Sequence, residues 1–336
     1  MKRSPKQYFQ ILFPLLLAVG IFWYLYKDLD AESLVAAVRQ ASFFWISFSI
    51  IISLWAYWLR AWRWKLLINA SEKKNVNTLK VFWALMTGYL ANLLVPRAGE
   101  VARCGVLAKT AGLQMGQLLG TVILERTVDL LFLVLMVFVA FAVEKEVFLS
   151  LLGTSGSLES VGSLFARYFP YIIGVLFLGA GLAFLIFRQY REAGLVKKLA
   201  NFASDFLSGL KSIGYVNNQL GFWASSLLIW VIYFLMMYFV AIGVSSTSGL
   251  NPGSVLMVLV FGSIGMVAPV QGGIGTFHAL VAFILVIYGL SETEAKIFAV
   301  IVHGTQLFTI IVLGIISILM LFKSLPKEEP IAESLR

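Results

Sequence analysis

Two stretches of this chain carry charge where the surrounding sequence is apolar. The first, Asn92-Leu-Leu-Val-Pro96-Arg97-Ala-Gly99-Glu100-Val-Ala-Arg103, follows the apolar run Val81–Val95 with no hydrophilic flank before it. The second, Glu125-Arg126-Thr127-Val128-Asp129, lies inside the apolar run that begins near Leu118. An ionised side chain at a bilayer centre costs about 2.5–3.5 kcal/mol even on insertion scales, so such groups face protein or a wet cavity and usually carry function. Arg97 and Arg103 are therefore candidates for holding a phosphate. Glu125 and Asp129, at i and i+4, share a helix face, as do Arg126 and Asp129 at i and i+3. Glu100, Glu125, Arg126 and Asp129 then read in two ways. They lock the first stretch to its neighbour as an ion-pair network, or they position the arginines and accept protons for coupling.

A third stretch, Pro269-Val-Gln-Gly272-Gly273-Ile-Gly275-Thr276-Phe-His278, holds three glycines that permit close backbone approach. A helix starting near Gly275 or Thr276 would aim free N–H groups and a positive dipole at the turn, which suits a phosphate or carboxylate. A tight turn alone also needs glycine. Pro96, Gly99 and Pro269 read as structural breaks, with Asn92 beside the first of them. His278 and His303 are the only histidines. A histidine on an apolar span is more often a hydrogen-bonded core residue, so the pair joins the coupling or ion-pair group.

No catalytic assembly stands out: the chain has no Asp-rich metal motif, no His–carboxylate metal spacing and no Gly-x-Ser-x-Gly. The single cysteine, Cys104, rules out an internal disulfide and a cysteine-rich metal site. The expectation is a non-enzyme with no cofactor and no metal.

The elements that must position these residues follow from composition. Of 336 residues, 60% are hydrophobic and only 13% charged, against about 25% charged in ordinary soluble domains. Mean hydropathy is +0.89. This predicts an all-α polytopic membrane protein with one integral membrane domain over residues 1–336. The net charge of +9 is scattered through short loops, as topology requires, so no nucleic-acid partner is implied. Met1–Lys6 followed by Ile11–Leu25 lacks an Ala-x-Ala-like cleavage site and reads as an uncleaved first span.

Runs long enough to cross a bilayer are Phe9–Tyr26, Phe43–Leu67, Leu118–Val143, Phe169–Phe187, Leu220–Val244 and Lys296–Phe322. Leu79–Val95 and Ser254–Leu290 are interrupted by Pro and Gly. Lys2, Arg3 and Lys6 place the N-terminus in the cytoplasm, and Arg60, Arg63, Lys65, Lys73, Lys74 and Lys80 form the next inner basic set. A full crossing by Leu79–Val95 would reverse the positive-inside pattern in the loops that follow. Two re-entrant hairpins restore it, giving about six full spans plus two hairpins in the plasma (inner) membrane, with both termini cytoplasmic. Non-helical backbone at membrane depth must be walled by protein or a wet cavity, so the hairpin tips should meet inside the bundle. Trp55, Trp58, Trp62 and Trp64 read as interfacial anchors. Leu195, Leu199, Phe202, Phe206 and Leu210 form the apolar stripe of a helix that lies on the inner leaflet or packs under the bundle.

Leu94-Val-Pro96-Arg-Ala-Gly99 parallels Val267-Ala-Pro269-Val-Gln-Gly272, and Ile123-Leu-Glu125-Arg-Thr127 parallels Ile301-Val-His303-Gly-Thr305. With opposite entry sides, repeat-like halves at about 79–143 and 254–322 form an inverted-topology repeat, in which Glu125 and His303 would face one cavity.

At these residues the chain resembles the flippase-like family named after the membrane region of lysylphosphatidylglycerol synthase. The resemblance rests on Asn92…Pro96-Arg97-x-Gly99-Glu100-x-x-Arg103, Glu125-Arg126-x-x-Asp129 and Pro269-x-x-Gly272-Gly273-x-Gly275. It implies a helical membrane domain with re-entrant elements that, in bifunctional members, flips aminoacylated phospholipid between leaflets. The 336 residues hold no soluble aminoacyl-transferase half, so synthase activity is not expected. Gln271 stands where a second Pro is common, His278 where an acidic residue is common, and His303 where Arg is frequent.

These readings converge on a transporter that moves an anionic phospholipid or a polyprenyl phosphate between leaflets. Arg97, Arg103, Gly272, Gly273, Gly275 and Thr276 would meet the headgroup. Two alternatives stay open: a membrane-embedded lipid-modifying transferase with Glu100 or Glu125 as general base, and a non-catalytic partner of an envelope lipid synthase.

Overall fold

The computed structural model describes residues 16, 19–95, 97–154, 194–268 and 270–324. The expected span Phe169–Phe187, much of the first span, and both Pro96 and Pro269 lie outside the described residues. Among the described residues the regular structure is helical, with no strand. The helices are α1 (Ala31–Gln40), α2 (Phe43–Glu72), α3 (Thr78–Leu94), α4 (Ala98–Ala111), α5 (Met115–Val143), α6 (Lys145–Thr154), α7 (Gly194–Lys211), α8 (Gln219–Gly243), α9 (Pro252–Val267), α10 (Thr276–Ile287) and α11 (Glu292–Ser324).

By length and composition, α2, α5, α8 and most of α11 can cross a membrane, and the chain is an all-α polytopic membrane protein. The helices α3, α4, α9 and α10 hold 17, 14, 16 and 12 residues. At a rise of about 1.5 Å per residue each falls short of a hydrocarbon core of about 30 Å.

Contacts at the helix ends show how the short helices run. At one end of the bundle, Glu72 Oε1 accepts from the Gln114 N–H at 2.6 Å, and Lys74 Nζ donates to the Gly112 carbonyl at 3.3 Å. The end of α2, the start of α3 and the α4–α5 junction therefore share that end. At the opposite end, the Ser42 N–H donates to the Gly243 carbonyl at 2.7 Å. Gly253 packs there on the Glu144 carboxylate, which lies near Tyr288. Hairpin α3–α4 thus enters from the first end and returns to it, and hairpin α9–α10 does the same from the second.

Each hairpin has its own apolar core. Trp64, Ile68, Leu85, Met86, Leu107 and Leu118 pack around the first, and Met257, Phe277, Ile284 and Phe298 around the second. Gly99 sits inside α4, not at the break expected of it. Its missing side chain lets α4 close on α3, because a Cβ there would strike the Gly88 carbonyl.

Helix α7, which carries the Leu195–Leu210 stripe, packs on α5. Gly120 of α5 and Gly209 of α7 meet so closely that a Cβ on either would hit the other helix's backbone. Gly116 and Gly120 form the small-x-x-x-small spacing that favours such crossings. Trp55 and Trp58 are exposed, as anchors would be, but Trp64 is wholly buried and donates its Nε1–H to Thr121 Oγ1 at 3.0 Å.

Candidate functional site

The charged residues of α4 and α5 meet inside the bundle. Glu125 is 0% exposed and takes Arg60 on Oε1 at 2.8 Å, Arg63 on Oε1 at 3.4 Å and Arg103 on Oε2 at 2.9 Å. Asp129 pairs with Arg63 at 2.6 Å and with Arg60 at 2.9 Å. At the margin, the half-exposed Arg126 reaches Glu100 at 3.2 Å and Asp129 at 3.9 Å. The i and i+4 spacing puts Glu125 and Asp129 side by side on α5, where they face Arg60 and Arg63 at i and i+3 on α2.

Neutral partners complete the cluster: Arg60 donates to the Tyr233 hydroxyl at 2.9 Å, and Arg63 to Ser226 Oγ at 3.2 Å. Arg103 lies over the Trp64 ring, 4.2 Å from its centroid, a cation–π contact that strengthens when water is excluded. Its approach to Glu125 is close but poorly aligned for hydrogen bonding. Among the described residues, Arg103 Nη1 and Glu100 Oε2 have no hydrogen-bond partner.

The hairpin tips touch. Arg97, exposed and with φ of 60°, ends the break between α3 and α4. Its Nη2 donates to the Val267 carbonyl at the end of α9, at 2.6 Å. Leu93 packs against Gly272, where an added Cβ would come within 2.7 Å of Leu93 Cδ2. Asn92 Oδ1 accepts the Gly99 N–H at 2.7 Å and so ties the start of α4 to α3. On the second tip, Gly272, Gly273 and Gly275 all hold positive φ, and Thr276 opens α10 with its hydroxyl donating to the Gly265 carbonyl at 2.7 Å. Cysteines placed at positions 93 and 272 on a Cys104→Ser background should therefore cross-link with a short reagent in intact membranes. Absence of the cross-linked species would contradict the contact.

A family model described as the lysylphosphatidylglycerol synthase TM region matches residues 11–314. The chain belongs to that family. No curated protein and no solved structure matches it. The family makes this a multi-pass membrane protein linked to lipid metabolism or transport, working among membrane lipids.

Within this member of the lysylphosphatidylglycerol synthase TM family, the expected site residues separate into three places. Glu100, Arg103, Glu125, Arg126 and Asp129 form one cluster. Arg97 and Gly272 lie at the tip junction, whereas Gly275 and Thr276 are held within the second hairpin by His278 and Gly265. His278 and His303 contact each other and the aromatic rings around them, and His303 is not among Glu125's ion-pair partners.

Arg60 and Arg63 were absent from the expected site because both were counted as inner-loop charges. Helix α2 runs on to Glu72, so Arg60 lies about 18 Å from its end. The available signal was their i and i+3 spacing inside an aromatic, apolar helix, which puts both guanidinium groups on one face.

Proposed function

We propose that this chain moves an anionic phospholipid, or a lipid-linked phosphate, from one leaflet to the other, with the headgroup passing the junction of the two hairpin tips. The observation that carries this is Arg97. It is an exposed cation at the contact between hairpins that enter from opposite ends, and it donates a hydrogen bond to the Val267 backbone carbonyl. Behind it, four guanidinium groups (Arg60, Arg63, Arg103 and Arg126) face three carboxylates (Glu100, Glu125 and Asp129). That leaves one positive charge over, a field that favours a passing anion. The positive-φ glycines of the second tip let backbone come close to the same headgroup. Opposed hairpins of this kind suit an inverted-topology transporter with its site between broken helices.

A general-base role for Glu125 fits the geometry poorly, because arginines occupy both of its oxygens. Reconstitution into liposomes with labelled phospholipids and polyprenyl phosphates tests the reading. Translocation of at least one anionic lipid above the protein-free rate is expected, and no stimulation across the panel would refute it.

The accompanying topology puts the Lys73 end of the bundle in the cytoplasm and the Glu144 end outside, with both chain termini cytoplasmic in the plasma membrane. Lys73 and Lys109 should then be labelled from the inside as single cysteines on a Cys104→Ser background, and Glu144 and Glu292 from the outside. Labelling of position 109 from the outside alone would overturn this orientation.

A further inference from the structure

The chain has two histidines, and the fold brings them together beneath the second tip. His278 of α10 and His303 of α11 lie with ring centroids 4.8 Å apart, and both are buried. Phe22 and Tyr26, from the helical segment before α1, stand edge-on to His278 at 5.3 and 5.7 Å, and Phe277 lies 4.9 Å from His303. The Gly275 N–H donates to His278 Nδ1 at 3.3 Å. That nitrogen therefore acts as an acceptor, which fixes the neutral ring as the Nε2–H form. His303 Nδ1 has no hydrogen-bond partner among the described residues.

The titratable groups around the pair are few. Tyr26 donates its hydroxyl to the Lys296 carbonyl at 3.1 Å, and the Lys296 ammonium turns away to Glu292 at 2.6 Å. Arg97 meets the tip at Val267. No carboxylate among the described residues is recorded in contact with either imidazole.

We propose that His278 and His303 form a binding site for a single proton, and that taking up this proton releases the second hairpin tip. The open Nδ1 of His303 and the occupied Nδ1 of His278 are the two nitrogens available to it. A proton on His278 Nδ1 turns an acceptor into a donor facing the Gly275 N–H, so the bond that caps α10 is lost. A proton on His303 acts on the same tip through the His278 ring beside it. With one ring charged, a second charge 4.8 Å away is opposed, so the pair takes one proton and not two. Gly272, Gly273 and Gly275 hold positive φ, and Gly272 rests directly on Leu93. Loosening the cap therefore frees its packing on Leu93 and Arg97 of the other hairpin. This site stands on the ring geometry and holds whether or not the chain moves a lipid.

Because both histidines are in the site, histidine-labelled protein in lipid nanodiscs reports on it without background. Imidazole nitrogen NMR, followed from about pH 8 down to about pH 3 because burial disfavours the charged ring, should show His278 with an unprotonated Nδ1 at the alkaline end. It should then show uptake of one proton by the pair. Backbone hydrogen exchange over residues 270–279, corrected for intrinsic rates, should rise about three- to tenfold in the same interval, as expected for one lost hydrogen bond. His278→Asn keeps an acceptor that cannot be protonated and should leave His303 as the sole titrating ring, with a smaller rise in exchange. His303→Gln should make His278 easier to protonate. A purely structural pair would keep both rings neutral throughout, and that result would overturn the proposal. Two independent protonations, or titration with unchanged exchange at the tip, would overturn it equally.

Discussion

Glu125→Ala is expected to remove most folded protein from the membrane. Glu125 is fully buried and is the shared partner of Arg60, Arg63 and Arg103. Deleting one partner of a buried ion pair costs about 3–5 kcal/mol, because the remaining charge stays desolvated. Here three guanidinium groups lose a counter-ion at once, and only Asp129 remains to pair with Arg60 and Arg63. Expression and melting in detergent should both fall sharply. Pairing Glu125→Gln with Arg103→Met should recover part of the loss, since removing both members avoids the stranded charge. A melting temperature equal to that of the unaltered protein would show that the cluster adds no stability.

Arg97 should behave in the opposite way. It is exposed, and its recorded partner is a backbone carbonyl, so its loss leaves no buried charge behind. Its φ of 60° is one that glycine adopts freely, so this substitution removes the side chain without asking anything new of the backbone. Arg97→Gly should fold and melt normally while slowing translocation of an anionic lipid about ten- to a hundredfold. A hydrogen bond to a charged group is worth about 1.5–3 kcal/mol, and each 1.4 kcal/mol is about tenfold. Full transport by this variant would take the headgroup contact away from Arg97.

Much of this arrangement could be read from the sequence, because bilayer physics restricts what charge and broken helices can do. Arg103, Glu125 and Asp129 stood out as charges in apolar runs, and the two Pro/Gly-interrupted segments became hairpins once the loop charges had to be reconciled. Arg60 and Arg63 were misplaced by that same argument. Positive-inside counting treats an arginine near a span's end as loop, whereas these two project inward from a helix that extends to Glu72. Trp64 was misread for a related reason: aromatic residues at a span's end usually mark the interface, but this ring packs under Arg103. Gly99 was taken for a helix breaker because its contact with Gly88 joins two different helices, and single-sequence periodicity carries no such pairing. His303 was matched to Glu125 by repeat position, yet its meeting with His278 depends on how α10 packs on α11.

Locking the two tips together tests the central claim most directly. With cysteines at 93 and 272 joined by a cleavable cross-linker in proteoliposomes, the account predicts that translocation of the anionic lipid stops. It should return when the linker is cut, while either single cysteine treated in the same way keeps the rate it had before treatment. Transport at the full rate with the tips still joined would contradict a headgroup path between them.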